Sequence, residues 1–108
     1  MRAVLTGMAV AALWCAPIAA ADTLDDVTTH GIVATVSGFD VDVSFSADHR
    51  FTMLNGVFVG VWRIDGTRLC LTGDNDHVEK CTDYPTGKHS GDTFQVQGDN
   101  GPMTVHIR

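Results

Sequence analysis

Basic residues are scarce in this chain: 7 Lys and Arg stand against 13 Asp and Glu among 108 residues, a formal charge of −6. Phosphate groups are bound by clustered Lys and Arg, and none are clustered here. Nucleic acid is therefore disfavoured as a partner, and a cationic protein suits the charge better. Disorder is disfavoured as well, because 44% of the residues are apolar and they run through the whole chain. Beyond Ile18 there is no apolar run that could span a bilayer, which takes roughly 20 residues. No segment beyond residue 21 shows a sustained helical period, so a helical bundle is not expected.

The N-terminus has the pattern of a secretory signal. Met1-Arg2 supplies a positive start, Ala3 to Ile18 is almost wholly apolar or small, and Ala19-Ala20-Ala21 offers the small residues that signal peptidase requires. Cleavage is expected before Asp22. Trp14 precedes Cys15 where a lipoprotein would need a small residue, so no lipid anchor is expected. Loss of residues 1–21 would leave 87 residues with a formal charge of −7, free of any membrane segment and located in the periplasm or outside the cell. Of the three cysteines, Cys70 and Cys81 would remain. An even pair in an exported chain implies one disulfide. Closing so short a loop is worth roughly 3 kcal/mol in the chain-entropy model.

After a polar, acidic lead from Asp22 to His30, about six alternating residues and then a turn signal recur along the chain. Ser37-Gly38, Asn55-Gly56, Asp65-Gly66 and Gly98 to Gly101 are such signals. Asn-Gly and Asp-Gly mark tight hairpins because the central positions of a type I′ turn need positive φ. The expected strands are 31–36, 39–46, 50–54, 57–64, 67–73, 78–84, 92–97 and 102–107. The fold class is all-β: an antiparallel meander of about eight short strands, closed or nearly closed into a single small barrel over residues 22–108.

Turn length sets register, and register sets faces. Around Asn55-Gly56, Met53 should oppose Phe58 and Phe51 should oppose Gly60. Around Asp65-Gly66, Trp62 should oppose Leu69 and Gly60 should oppose Leu71. A three-residue loop at Ala47-Asp48-His49 would set Phe45 against Phe51, with His49 where glycine is usual. The loop Asp74 to His77 makes Cys70 and Cys81 direct neighbours, sets Arg68 against Asp83, and brings Lys80 and Thr82 onto the inner face. Lys80 is expected at the barrel mouth, its stem buried and its ammonium wet. Val57, Val59 and Val61 form a second apolar face, expected to be covered by the segment 22–30 and the disulfide, the alternative being a partner-binding or dimer surface.

Three runs carry a resemblance: Phe45-x-x-Asp48-x-x-Phe51, then Gly60-Val61-Trp62-Arg63-x-Asp65-Gly66-x-x-Leu69-Cys70-Leu71, then Cys81-x-x-Tyr84-Pro85-x-Gly87-Lys88-x-x-Gly91-Asp92. Over residues 39–97 the chain resembles a group of uncharacterised bacterial secreted proteins of small lipocalin-like β architecture, which share a G-x-W…G-x-x-L-C…C core. The resemblance implies export, this fold and the disulfide, and no catalytic residues. Ser90-Gly91-x-x-Phe94 and Tyr84-x-x-x-Lys88 are similar to motifs of the periplasmic inhibitors of c-type lysozyme. Phe94 stands there in place of Tyr, His89 in place of Gly, and the two elements occur in reversed order.

The histidines and serines fit no nucleophile motif. His49, His77 and His89 fall in turns, and His106 should be an outward strand residue. Cys70, His77 and Cys81 would need reduced thiols and a fourth ligand to hold zinc, and Asp74, Asp76 and Glu79 do not match a calcium loop. No enzyme activity, cofactor or metal is expected. About 19 apolar side chains, Phe39, Phe58 and Phe94 among them, are assigned to the interior and should fill a barrel this small, leaving at most a shallow site near Lys80. The expected function is an exported, non-enzymatic binding module. The alternatives are an inhibitor of a cationic cell-wall hydrolase, or small-ligand binding at the mouth. The candidate binding residues are Tyr84, Lys88, Ser90, Phe94 and Lys80.

Overall fold

A computed structural model describes residues 19–99 and 101–108. Residues 1–18 of the expected signal, with Cys15, lie outside the described residues. Among the described residues, one helix, α1 (Ala19–His30), precedes eight strands: β1 (Ile32–Val36), β2 (Phe39–Phe45), β3 (Arg50–Met53), β4 (Phe58–Asp65), β5 (Arg68–Gly73), β6 (Glu79–Asp83), β7 (Thr93–Gly98) and β8 (Gly101–Ile107). They form one antiparallel sheet in the order β6-β5-β4-β3-β2-β1-β8-β7. Strand β1 is held on both sides, with Ala34 opposite Val41 on β2 and Val105 on β8. Curling brings β6 against β7 without a ladder between them, so the barrel is nearly closed.

The hairpin chemistry sets most of the pairing. Asn55 and Gly56 take φ of 55° and 91°, as a type I′ tip needs, and Met53 pairs Phe58 while Phe51 pairs Gly60. His49 occupies the left-handed position at φ 65°, and Phe45 pairs Phe51 across that loop. Cys70 pairs Cys81 and the two form the disulfide. Around Asp65-Gly66 the expected register is off by two residues: Asp65 pairs Arg68, Trp62 pairs Leu71 and Gly60 pairs Gly73. The turn is centred on Gly66-Thr67, and the Asp65–Arg68 ion pair at 2.6 Å closes its base. A slip of two keeps every side chain on its face. Arg68 lies opposite Asp83 in the ladder but gives its charge to Asp65.

The segment expected to be a polar lead is helical. Thr23, Leu24 and Val27 are fully buried, while Asp22 and Asp25 face out. Gly31 ends the helix at φ +79°, its N–H donating to the Val27 carbonyl at 2.9 Å. A Cβ at Gly31 would stand 2.9 Å from the Val43 carbonyl, so the cap also needs a residue without a side chain. Two large apolar residues are too few to show a period in the sequence. The helix is held by what it packs against: Leu24 and Val27 join Ile32, Val105, Ile107 and Tyr84 in one core cluster.

Because the strands alternate in direction, the β1–β2, β3–β4, β5–β6 and β7–β8 connections share one end of the barrel. Helix α1 packs at the other end, against β2 and β8. It does not cover the second apolar face as expected, and Val57 and Val61 remain 72% and 42% exposed.

Candidate functional site

The barrel is not filled. A cavity of about 480 Å³ runs inward from the end that carries the β1–β2, β3–β4, β5–β6 and β7–β8 connections. Side-chain size explains it. The inner positions of β1 and β2 carry Ala34, Val36, Val41 and Val43, and Gly98 and Gly101 line the wall at β7 and β8. Of the aromatics expected to fill this space, Phe45 and Phe51 line its wall, and others stand at the mouth or turn away from it. Phe39 and Phe58 lie at the mouth, 73% and 45% exposed. Trp62 turns away from the mouth, stacking on His49 at 4.4 Å, meeting Phe45 edge-on at 6.1 Å and donating its indole N–H to the Ser46 carbonyl at 3.1 Å.

Along the strands the walls are apolar except on β6, and Asn75, Asp76 and Asp99 stand at the mouth. Alternation turns Lys80 and Thr82 inward, and Tyr84 continues the pattern because its N–H donates to the Thr67 carbonyl at 2.9 Å, extending the β5–β6 ladder. The three make a polar stripe down one wall. At the mouth, Lys80 Nζ lies 3.3 Å from Asp99 Oδ2, an ion pair that crosses from β6 to the β7–β8 connection. Beside it, Asp76 Oδ1 accepts the Val78 N–H at 3.0 Å. These mouth charges thus have partners. Tyr84 is buried and meets Phe94 edge-on at 6.0 Å. Burial alone pushes its phenol well above the usual range, with no charge or hydrogen bond opposing it.

Exposed apolar side chains border the mouth. Phe39, Leu54, Val57, Phe58 and Val78 come from three different connections and gather at the same end by topology. Val78 and Phe58 also line the cavity, so the apolar wall continues to the rim.

The expected binding residues divide between the two ends. Lys80 and Tyr84 line the cavity, and Phe94 packs on Tyr84. Lys88 and Ser90 belong to a strap over α1: the Lys88 N–H donates to Thr23 Oγ1 at 3.0 Å, and the Ser90 N–H donates to Asp26 Oδ2 at 2.9 Å. The Ser90 hydroxyl donates to the Arg108 carbonyl at 2.7 Å. Thr82, which the sequence sets on the inner face without a binding role, is part of the stripe. The small inner residues of β1 and β2 were the signal for the cavity.

Ion pairs dress the outer surface. Arg50 binds Asp74 and Arg63 binds Glu79, each at 2.6 Å. Hydrogen bonds from these arginines hold both acids below the usual carboxylate range, and Arg68 does the same for Asp65. Cys70, Glu79 and Cys81 lie close enough together to hold a metal, but both sulfurs are in the disulfide and Glu79 is taken by Arg63. His49 and His77 sit in turns at positive φ. His89 lies 3.6 Å from Asp26, and His106 faces Thr93 at 2.8 Å on the outer side of β8. Among these, no nucleophile is aligned with a base and an orienting acid.

No protein-family model matches the chain, and no curated protein or solved structure is significantly similar to it.

Proposed function

We propose that this chain is an exported, non-enzymatic binding module that holds a small apolar molecule inside its barrel. The cavity carries the reading: about 480 Å³ of apolar space, open at one end, lies within the range of small-molecule sites. The ordinary alternative for so small a barrel is an interior packed by its own side chains, and the small residues of β1 and β2 leave this one hollow. Export is supported by the N-terminal pattern and by the disulfide, a bond that persists in oxidising compartments. Among the described residues no helix is long and apolar enough to cross a membrane.

The test is fluorescence titration of the oxidised protein with an uncharged dye that brightens in apolar surroundings, beside a Val36→Trp variant that places an indole in the cavity. One dye per chain should bind the native protein, and binding should be lost in the variant while its circular dichroism is unchanged. Failure of the native protein to bind any apolar probe, in titration or in native mass spectrometry, would overturn the reading.

A further inference from the structure

The cavity is asymmetric in chemistry from one end to the other. At the mouth the charged groups are already engaged, Lys80 with Asp99 and Asp76 with the Val78 N–H, and the rim around them is apolar. At the inner end stands Tyr84, 6% exposed, whose hydroxyl takes no hydrogen bond among the described residues. No unpartnered side-chain nitrogen or oxygen among the described residues is wholly sealed off, so this hydroxyl opens onto free space, and the space that Tyr84 lines is the cavity. Thr82, two residues earlier on the same inward face, adds a second hydroxyl to the wall. A hydroxyl that opens onto the cavity can be met by water or by a ligand, and a ligand oxygen that accepts from it takes the place of that water.

From this we infer that the ligand is an uncharged amphiphile, an apolar chain or ring system carrying one hydroxyl or carbonyl oxygen, which enters polar end first and receives the Tyr84 O–H at the closed end. Its apolar tail then lies along Val41, Val43 and Leu71 towards the rim at Phe58 and Val78. An anionic head group fits poorly. The charged side chains on the wall are Asp76, Asp99 and one lysine already paired, and the whole chain is acidic, so a carboxylate would meet net repulsion at the mouth and an unscreened desolvation cost further in.

This inference rests on the ligand-holding reading, and the experiment separates the two. The uncharged dye is displaced in turn by decane, 1-decanol, 2-decanone and decanoate, from the native protein and from Tyr84→Phe and Thr82→Val, all oxidised. Tyr84→Phe keeps the ring and its contact with Phe94, and each competitor is read as its ratio to decane on the same variant, so that a general change in the cavity cancels. Loss of the O–H should weaken 1-decanol and 2-decanone about five- to tenfold and leave decane unchanged, with a smaller effect from Thr82→Val. Decanoate should compete more weakly than 1-decanol with the native protein. If the dye binds but neither variant changes the alcohol and ketone, or decanoate competes best and loses that advantage in Lys80→Met, the inferred ligand class is wrong while the cavity reading stands. If Tyr84→Phe fails to bind the dye, Thr82→Val decides: an unchanged ratio of 1-decanol to decane there overturns the inference. If the native protein binds no probe, both fall.

Discussion

The hydroxyl of Thr23 on α1 accepts a 3.0 Å hydrogen bond from the backbone N–H of Lys88, and Thr23 is fully buried. The contact ties the helix to the strap between β6 and β7, across 65 residues of sequence. It also shows Lys88, singled out as a binding residue, to be held through its backbone at the closed end.

Thr23→Val replaces the hydroxyl by a methyl of similar size and leaves the part-buried Lys88 N–H without its partner. A loss of roughly 1–3 kcal/mol is expected, measured by urea denaturation. Thr23→Ser, which keeps the oxygen, should retain most of the stability. Equal loss in both variants would assign the role of Thr23 to its methyl group.

Gly60 lies directly opposite Phe51, and a Cβ there would overlap the Thr72 carbonyl oxygen and stand 2.7 Å from Phe51 Cε1. The carbonyl belongs to the β5 ladder and cannot swing away. Gly60→Val should therefore destabilise by at least roughly 1–3 kcal/mol. An unchanged denaturation midpoint would show that β4 is not in this register.

The Cys70–Cys81 disulfide joins residues that already face each other in the β5–β6 ladder. Strand β6 has a hydrogen-bonded neighbour on that side alone, so the bond pins the edge of the barrel and the stripe that it carries. Reduction should lower stability by roughly 3 kcal/mol and weaken dye binding as β6 loosens. Calorimetry with and without dithiothreitol, on the protein and on a Cys70→Ala/Cys81→Ala variant, gives the difference.

Acid should destabilise the outer face. Asp65, Asp74 and Glu79 are held below their ordinary carboxylate range by Arg68, Arg50 and Arg63 respectively. A depressed folded-state value means that the unfolded chain takes up protons first. The stabilisation is complete at neutral pH and is lost as pH falls below about 4 through the folded values. These pairs are exposed, so salt should diminish the effect. Thermal midpoints across pH 3 to 7, at low and high salt, should show a fall on the acid side that is shallower in salt; a midpoint independent of pH there would remove these pairs from the account.

Local turn chemistry made the hairpins legible in the sequence: Asn55-Gly56 and the left-handed His49 sit where a reversal needs positive φ, and each reversal carried the pairing of its strands with it. At Asp65-Gly66 the same logic found the turn but not its centre, because Gly66-Thr67 and Asp65-Gly66 both make acceptable tips and the Asp65–Arg68 pair chooses between them. Helix α1 was illegible because Leu24 and Val27 acquire their meaning only against Val105 and Ile107 of the last strand. The cavity was illegible for a different reason: it is a difference between the space that the sheet encloses and the volume of the side chains turned into it, and Phe39 and Phe58 face the right way yet lie too near the rim to fill it.

The sequence by itself determined where the chain turns, which residues share a face, that Cys70 meets Cys81 and that Lys80 and Thr82 point inward, since each follows from backbone geometry within a few residues. Only the tertiary structure decided that β1 closes on β8, that α1 plugs one end and that the other end stays hollow above Tyr84. Those are outcomes of packing between segments far apart in the chain, where the curvature of the whole sheet sets the distances and no local pattern records them.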